Sequence, residues 1–186
     1  MDFRNSTDLD DARLYAMFLR HTAPYRHDRL KVHVRYSRGA DFSGTCYYRE
    51  ARILVNLGRH NRYPYSLNTN IAKAQSTHNG WRREAYQLIV ADAEQLALFV
   101  YLHELFHYLV KQAKRSPRRK EAMCDRFAAR VLVDHYGCRV HRRSGQAVAR
   151  GTWDFKDLDG FIAAAPKNRQ MPLPFCRAIP VTIHGL

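Results

Sequence analysis

No apolar run in this sequence approaches the roughly 20 residues that a bilayer-crossing helix needs, so a membrane-spanning protein is not expected. A secretory signal is not expected either. Met1 to Asp11 is polar and acidic, with no basic stretch leading into an apolar one. The expectation is a cytoplasmic protein with no membrane partner. Cysteine is scarce: Cys46, Cys124, Cys138 and Cys176 include no CxxC pair, and without a secretory signal they read as free thiols. Cys138 and His141 have a ligand-like spacing, but no matching second pair completes a zinc site there. Acids are few, 17 Asp+Glu against 31 Lys+Arg, which leaves a net charge of +14 with His neutral. Such an excess either attracts nucleic acid, acidic proteins or anionic surfaces, or simply solvates the surface. No internal repeat and no domain boundary is visible. The expectation is one domain over residues 1–186, with an irregular tail from about Pro166 to Leu186, where four prolines fall.

What is present folds, since 46% of the residues are hydrophobic and 12% aromatic. Thr7-Asp8-Leu9-Asp10 reads as a capping box that opens a helix over about Asp8 to His21. Leu30 to Tyr36 alternates apolar and basic residues, the pattern of a half-buried strand. Thr45–Tyr48 and Arg52–Leu57 read as a hairpin around Arg49-Glu50-Ala51. The Asn-, Ser-, Pro- and Gly-rich segment from Gly58 to Gly80 reads as a long loop. Ala85 to Val90 is taken as a strand, which leaves Asp92 to cap a helix with Gln95 three residues on. From Ala93 to about Lys114 apolar residues nearly surround that helix, so it is buried. Ser116-Pro117 then signals a second helix, running to about Tyr136 and stopping at Gly137. Arg139 to Arg150 reads as a basic loop, and Asp154 to Ala164 as a short helix.

Within the buried helix lies His103-Glu104-Leu105-Phe106-His107, the pattern HExxH. Residues at i and i+4 share one helix face, so two imidazoles reach one ion. Glu104 points off that line, where it meets a water held by the ion rather than the ion itself. Zinc lowers the pKa of such a water from 15.7 to about 7, and a carboxylate base helps it attack a carbonyl carbon. The bland alternative is two satisfied core histidines and a salt-bridged glutamate. Against it, a polar trio on a buried helix is costly without a task.

Zinc chemistry also needs a third protein ligand and an open position. Glu121 and Asp125 stand one turn apart at the start of the second helix. HExxH followed by a helix carrying ExxxD resembles the gluzincin branch of zinc metallopeptidases. Glu121 to Ala129 is similar to the ExxAxxFA segment of ImmA/IrrE-type metallopeptidases. The resemblance covers Gln95 to about Val133, and it implies one zinc ion per chain on His103, His107 and Glu121. It also implies that Asp125 orients a ligand histidine. Where that family continues with an apolar pair and Met-Pro, this chain has Val131-Leu132-Val133-Asp134. SprT-like proteases are a rival resemblance, but they take a third His soon after the motif, and none lies between His107 and His135. His135 is 14 residues beyond Glu121, about 21 Å along a continuous helix at 1.5 Å per residue, so one ion cannot take both.

The implied fold class is α+β: a single zincin-like domain, with a small, mostly antiparallel sheet packed on an active-site helix and a second ligand-bearing helix. Its edge strand suits an extended substrate. Tyr108, His135, Tyr136 and His141 are candidate donors to a developing oxyanion, and the sequence does not choose among them. Two basic clusters remain: Lys111, Lys114, Arg115, Arg118, Arg119 and Lys120, then Arg139, Arg142, Arg143 and Arg150. Two readings follow. One is a zinc peptidase that cleaves a protein or peptide substrate with a Glu104-activated water. The other is a basic module that binds nucleic acid or an acidic partner and carries a structural or vestigial zinc site. A structural site has no use for Glu104, which favours the first.

Overall fold

A computed structural model describes residues 1–78 and 80–168. The expected tail lies almost wholly outside these residues, as does Cys176. The elements in order are β1 (Asp2–Asn5), α1 (Asp11–Thr22), β2 (Lys31–Tyr36), β3 (Phe42–Tyr47), β4 (Arg52–Leu57), β5 (Tyr65–Thr69), β6 (Gln75–Thr77) and β7 (Gly80–Arg82). Then follow β8 (Tyr86–Val90), α2 (Ala93–Gln112), α3 (Glu121–Tyr136), β9 (Arg139–Arg142), α4 (Arg150–Trp153) and α5 (Leu158–Phe161). Helices and small sheets are mixed, as the α+β expectation had it. No described helix is long and apolar enough to cross a membrane.

The sheet against α2 has the order β1-β2-β4-β3. It is not mostly antiparallel: β1–β2 and β2–β4 are parallel, and only β3–β4 is antiparallel. α1, whose 12 residues join β1 to β2, gives the crossover that this parallel pair requires, and β3 returns the chain from β2 to β4. The polar strand β1 went unseen in the sequence because only alternate side chains are half-buried. β4 reads Arg-Ile-Leu-Val-Asn-Leu and is buried from Ile53 to Leu57, as a strand covered on both faces must be. β3 lies at the edge, with Phe42, Gly44 and Cys46 turned inward and Ser43, Thr45 and Tyr47 exposed.

A second sheet, β5-β8-β9, corrects two sequence expectations. The segment from Gly58 to Gly80 is not one long loop, since it holds β5 and β6 and ends where β7 begins. Arg139 to Arg150 is not all loop, since it opens with β9. Leu67 and Val140 are buried on either side of Leu88 in these pairings. Each strand carries too few apolar residues to announce itself before its partner is known.

α1 starts three residues later than expected. Asp10 is its N-cap, accepting from the Arg13 N–H, because the Asn5 side chain draws Thr7 and Leu9 into a turn first. α2 is capped as expected: Asp92 accepts from the Gln95 N–H, and the Gln95 carbonyl reaches back to the Ala91 N–H at 2.8 Å. The Phe18 ring of α1 stacks on Tyr101 of α2 at 4.2 Å and fixes one helix on the other. α3 begins at Glu121, not at Ser116-Pro117. The residues between are used to close α2 instead, where the Lys114 N–H bonds the Lys111 carbonyl and the Arg115 N–H bonds the Val110 carbonyl. In that motif the residue after the cap is left-handed and usually Gly. Here it is Lys114, at φ 58°. α3 ends as the sequence indicates, at Gly137 with φ 69°.

Candidate metal centre

His103 and His107 lie one turn apart on α2, with ring centroids 5.1 Å apart. The α2–α3 hairpin brings the first turn of α3 across them. Glu121 then faces both rings: Oε2 is 3.1 Å from His103 Nε2, and Oε1 is 3.2 Å from His107 Nε2. Two donors held about 2.1 Å from one ion at a tetrahedral angle stand about 3.4 Å apart, so this spacing suits ligands that share an ion. Glu121 remains reachable from solvent, with 61% of its side chain exposed.

One turn further, Asp125 is buried. Its Oδ1 meets His103 Nδ1 at 2.8 Å, and its Oδ2 accepts from the backbone N–H and the side-chain amide of Asn70. Asp125 thereby sets which ring nitrogen of His103 carries a proton and which faces Glu121. The neighbouring Arg126, also buried, donates to the Ile71 and Ala72 carbonyls. These contacts fasten the segment after β5 to α3. Nothing in the sequence flags Asn70 or Arg126, because both bonds join residues 54 or more positions apart.

A third donor escaped the sequence reading. The ligand atoms of His103, His107 and Cys124 all lie within 4.8 Å of one another, so these three can hold a metal ion. Cys124 follows Glu121 by three residues and shares its helix face, which is the signal that was available. Among the described residues this is the one group of its kind. Cys138 and His141 are not part of this group, and the Cys138 thiol donates to the Gln95 side-chain oxygen.

The electrostatics follow from burial and these carboxylates. Burial opposes charge on His103, but the Asp125 and Glu121 carboxylates outweigh it and lift its pKa to about 10. The bond to His103 holds the Glu121 carboxyl below its ordinary value. Burial and the neighbouring His103 push His107 down. Its Nδ1 is buried with no hydrogen-bond partner among the described residues. Glu104, 9% exposed, is raised to about 7 by burial, a tendency that His103 opposes and Glu121 reinforces. Burial also raises the Cys124 thiol.

Glu104 and Glu121 stand where two lobes of a cleft meet. The larger lobe, about 1040 Å³, continues past His107 and is walled by Cys46, Tyr48 and the chain from Lys111 to Arg118. The smaller lobe, about 290 Å³, is lined by residues such as Phe42, Asn68, Asn70 and Phe99. β3 runs along both. None of the expected oxyanion donors lines either lobe. Tyr136 bonds His21 at the far end of α3, and His135 lies beside the same His21. The phenol that does reach the cleft is Tyr48, whose pKa is pushed up to about 12 by burial and by Cys46.

The two basic clusters differ. Arg142 is paired with Glu84, and Arg150 with Asp134 and Asp154. Lys111, Lys114, Arg115 and Arg118 make no ion pair among the described residues. Comparison of the chain with protein-family models, with curated proteins and with solved structures finds no match.

Proposed function

We propose that this chain is a zinc peptidase of the zincin type, with His103, His107 and Glu121 holding one zinc ion and Glu104 acting as the base. The observation that carries this reading is the convergence of both Nε2 atoms on the Glu121 carboxylate, with Glu104 beside them at an open cleft. The donor set fits: two imidazoles and a carboxylate leave a fourth position free, as catalytic zinc sites do. Zinc, when bound, polarises a carbonyl and makes water acidic enough to lose a proton near neutral pH.

The chain's own residues supply the rest. Asp125 keeps the His103 proton on Nδ1, which frees Nε2 to bind metal. The unpaired backbone edge of β3 holds an extended polypeptide by strand addition. Water adds to the peptide carbonyl carbon, and Glu104 takes the proton that it loses. The carbonyl oxygen takes a hydrogen bond from the protonated Tyr48 phenol. The C–N bond then breaks, and Glu104 returns the proton to the departing amine.

One observation favours the other reading, a module with a structural metal site: Cys124 would add a thiolate and help close the coordination sphere. Glu104 has no role in such a site. Purified without a metal-binding tag, the chain should carry near one equivalent of zinc and cleave an unfolded protein such as casein. Glu104→Gln should keep the zinc and lose at least on the order of 100-fold in cleavage rate. A chain that takes up no zinc, or a fully active Glu104→Gln variant, sinks this reading.

A further inference from the structure

The larger lobe of the cleft is lined on one side by cations. Lys111 stands on the last turn of α2, and Lys114, Arg115 and Arg118 follow it along one wall. All four are exposed. The Arg115 guanidinium is held 4.5 Å over the Phe161 ring. Among the described residues none of the four makes an ion pair, although Arg13, Arg52, Arg130, Arg142 and Arg150 do, so the four leave a positive potential along this wall. The acids of this lobe are Glu104 and Glu121, which the metal centre already uses.

Backbone geometry is a second, independent sign. Lys114 holds φ 58°, a position that a Gly would fill without strain. A lysine kept there places a cation beside the cleft at the cost of a left-handed backbone at a residue with a side chain.

We propose that this lobe recognises an acidic stretch of polypeptide next to the bond to be cleaved, with Lys111, Lys114 and Arg118 as its cations. The proposal rests on the peptidase reading for the meaning of that bond, but not for the binding itself. A polypeptide fits better than a nucleic acid because the cleft is asymmetric. The smaller lobe has no Lys or Arg in its lining, and Glu104 and Glu121 stand between the lobes. A phosphate backbone is charged along its whole length and would meet carboxylates at the centre and no cation beyond. A polypeptide can be acidic on one side and neutral on the other.

The test uses the full chain carrying Glu104→Gln, so that binding is read without turnover. Fluorescence anisotropy is followed with a short Gly/Ser peptide bearing a run of glutamates, with the same peptide bearing glutamines, and with single-stranded oligodeoxythymidine. The glutamate peptide should bind at least about tenfold tighter than the glutamine one, and more weakly as salt rises. Adding Lys111→Glu, Lys114→Glu and Arg118→Glu together should weaken it about tenfold or more. Lys114→Gly alone should weaken it about two- to fivefold while the chain melts no lower, which separates recognition from folding. Arg139→Glu with Arg143→Glu should change nothing. Equal binding of both peptides, or no effect of Lys114→Gly, overturns the proposal. So does oligodeoxythymidine binding that is tighter than peptide binding and lost in the triple variant, which would make the lobe a nucleic-acid site. Absence of proteolysis by the wild-type chain, with acidic binding intact, would count against the peptidase reading and leave this one standing.

Discussion

Gly44 of β3 lies directly over Glu104 of α2: a Cβ built on Gly44 would come within 2.6 Å of Glu104 Cγ and closer still to Oε1. The strand and the carboxylate touch only because this position has no side chain. Gly44→Ala should therefore leave the fold in place, since the clash is with a flexible side chain, and displace Glu104. A shift of about 1 Å at a catalytic group is worth on the order of 100-fold. The expected result is a large fall in cleavage rate with zinc content and melting temperature nearly unchanged. Wild-type activity in Gly44→Ala would remove Glu104 from the chemistry.

The ligand set can be read by substitution. Glu121→Ala should weaken zinc binding by at least on the order of 100-fold, and Asp125→Asn by about 10- to 100-fold. His135→Ala should do nothing, as it sits beside His21 and away from the centre. Cobalt placed in the site reports on Cys124: a thiolate ligand gives an intense near-ultraviolet band, and we expect none. A strong band that disappears in Cys124→Ala would move the site to the structural reading.

Tyr48→Phe tests the proposed donor. Losing one hydrogen bond to the developing oxyanion costs about 100- to 1000-fold in kcat elsewhere, and zinc supplies part of that stabilisation here. A fall of about tenfold or more in kcat with little change in KM is expected. The same substitution at Tyr108 or Tyr136 should leave kcat unaltered.

Acid should destabilise the fold through His21. Burial, with the charges of His135 and Arg20, lowers its pKa from 6.5 to about 4. Between those values the unfolded chain binds the proton and the folded chain does not, so acid favours unfolding. This contribution is complete above pH 6.5 and is lost as the pH falls to about 4. With partial exposure discounted, the loss is on the order of 2 kcal/mol. Melting curves of wild type and His21→Gln should converge toward pH 4. Parallel curves across that range would show that His21 is not the group responsible.

The residues of the candidate site were the most legible part of this chain. HExxH and the ExxxD on the next helix are local patterns, and their meaning follows from 3.6 residues per turn, which holds in any helix. The same is true of the Asp92 cap and the Gly137 stop, which depend on neighbours in sequence. Other expectations differ from the structure where sequence neighbours do not decide. Ser116-Pro117 has the chemistry of a helix start, but the close of α2 at Lys114 leaves α3 to begin at Glu121. β5 and β9 become strands only because β8 lies between them.

The sequence by itself therefore picked out the residues of the candidate site: His103, His107 and Glu121 as proposed ligands, Glu104 as proposed base and Asp125 beside His103. Tertiary structure alone decided what surrounds them. Asn70 at Asp125, Gly44 over Glu104, Cys124 among the ligand atoms and Tyr48 at the cleft all come from other elements or from packing between helices. A helix repeats its own geometry and can be read along the chain. The contacts between elements depend on how the chain returns on itself, and burial of the shared core fixes that.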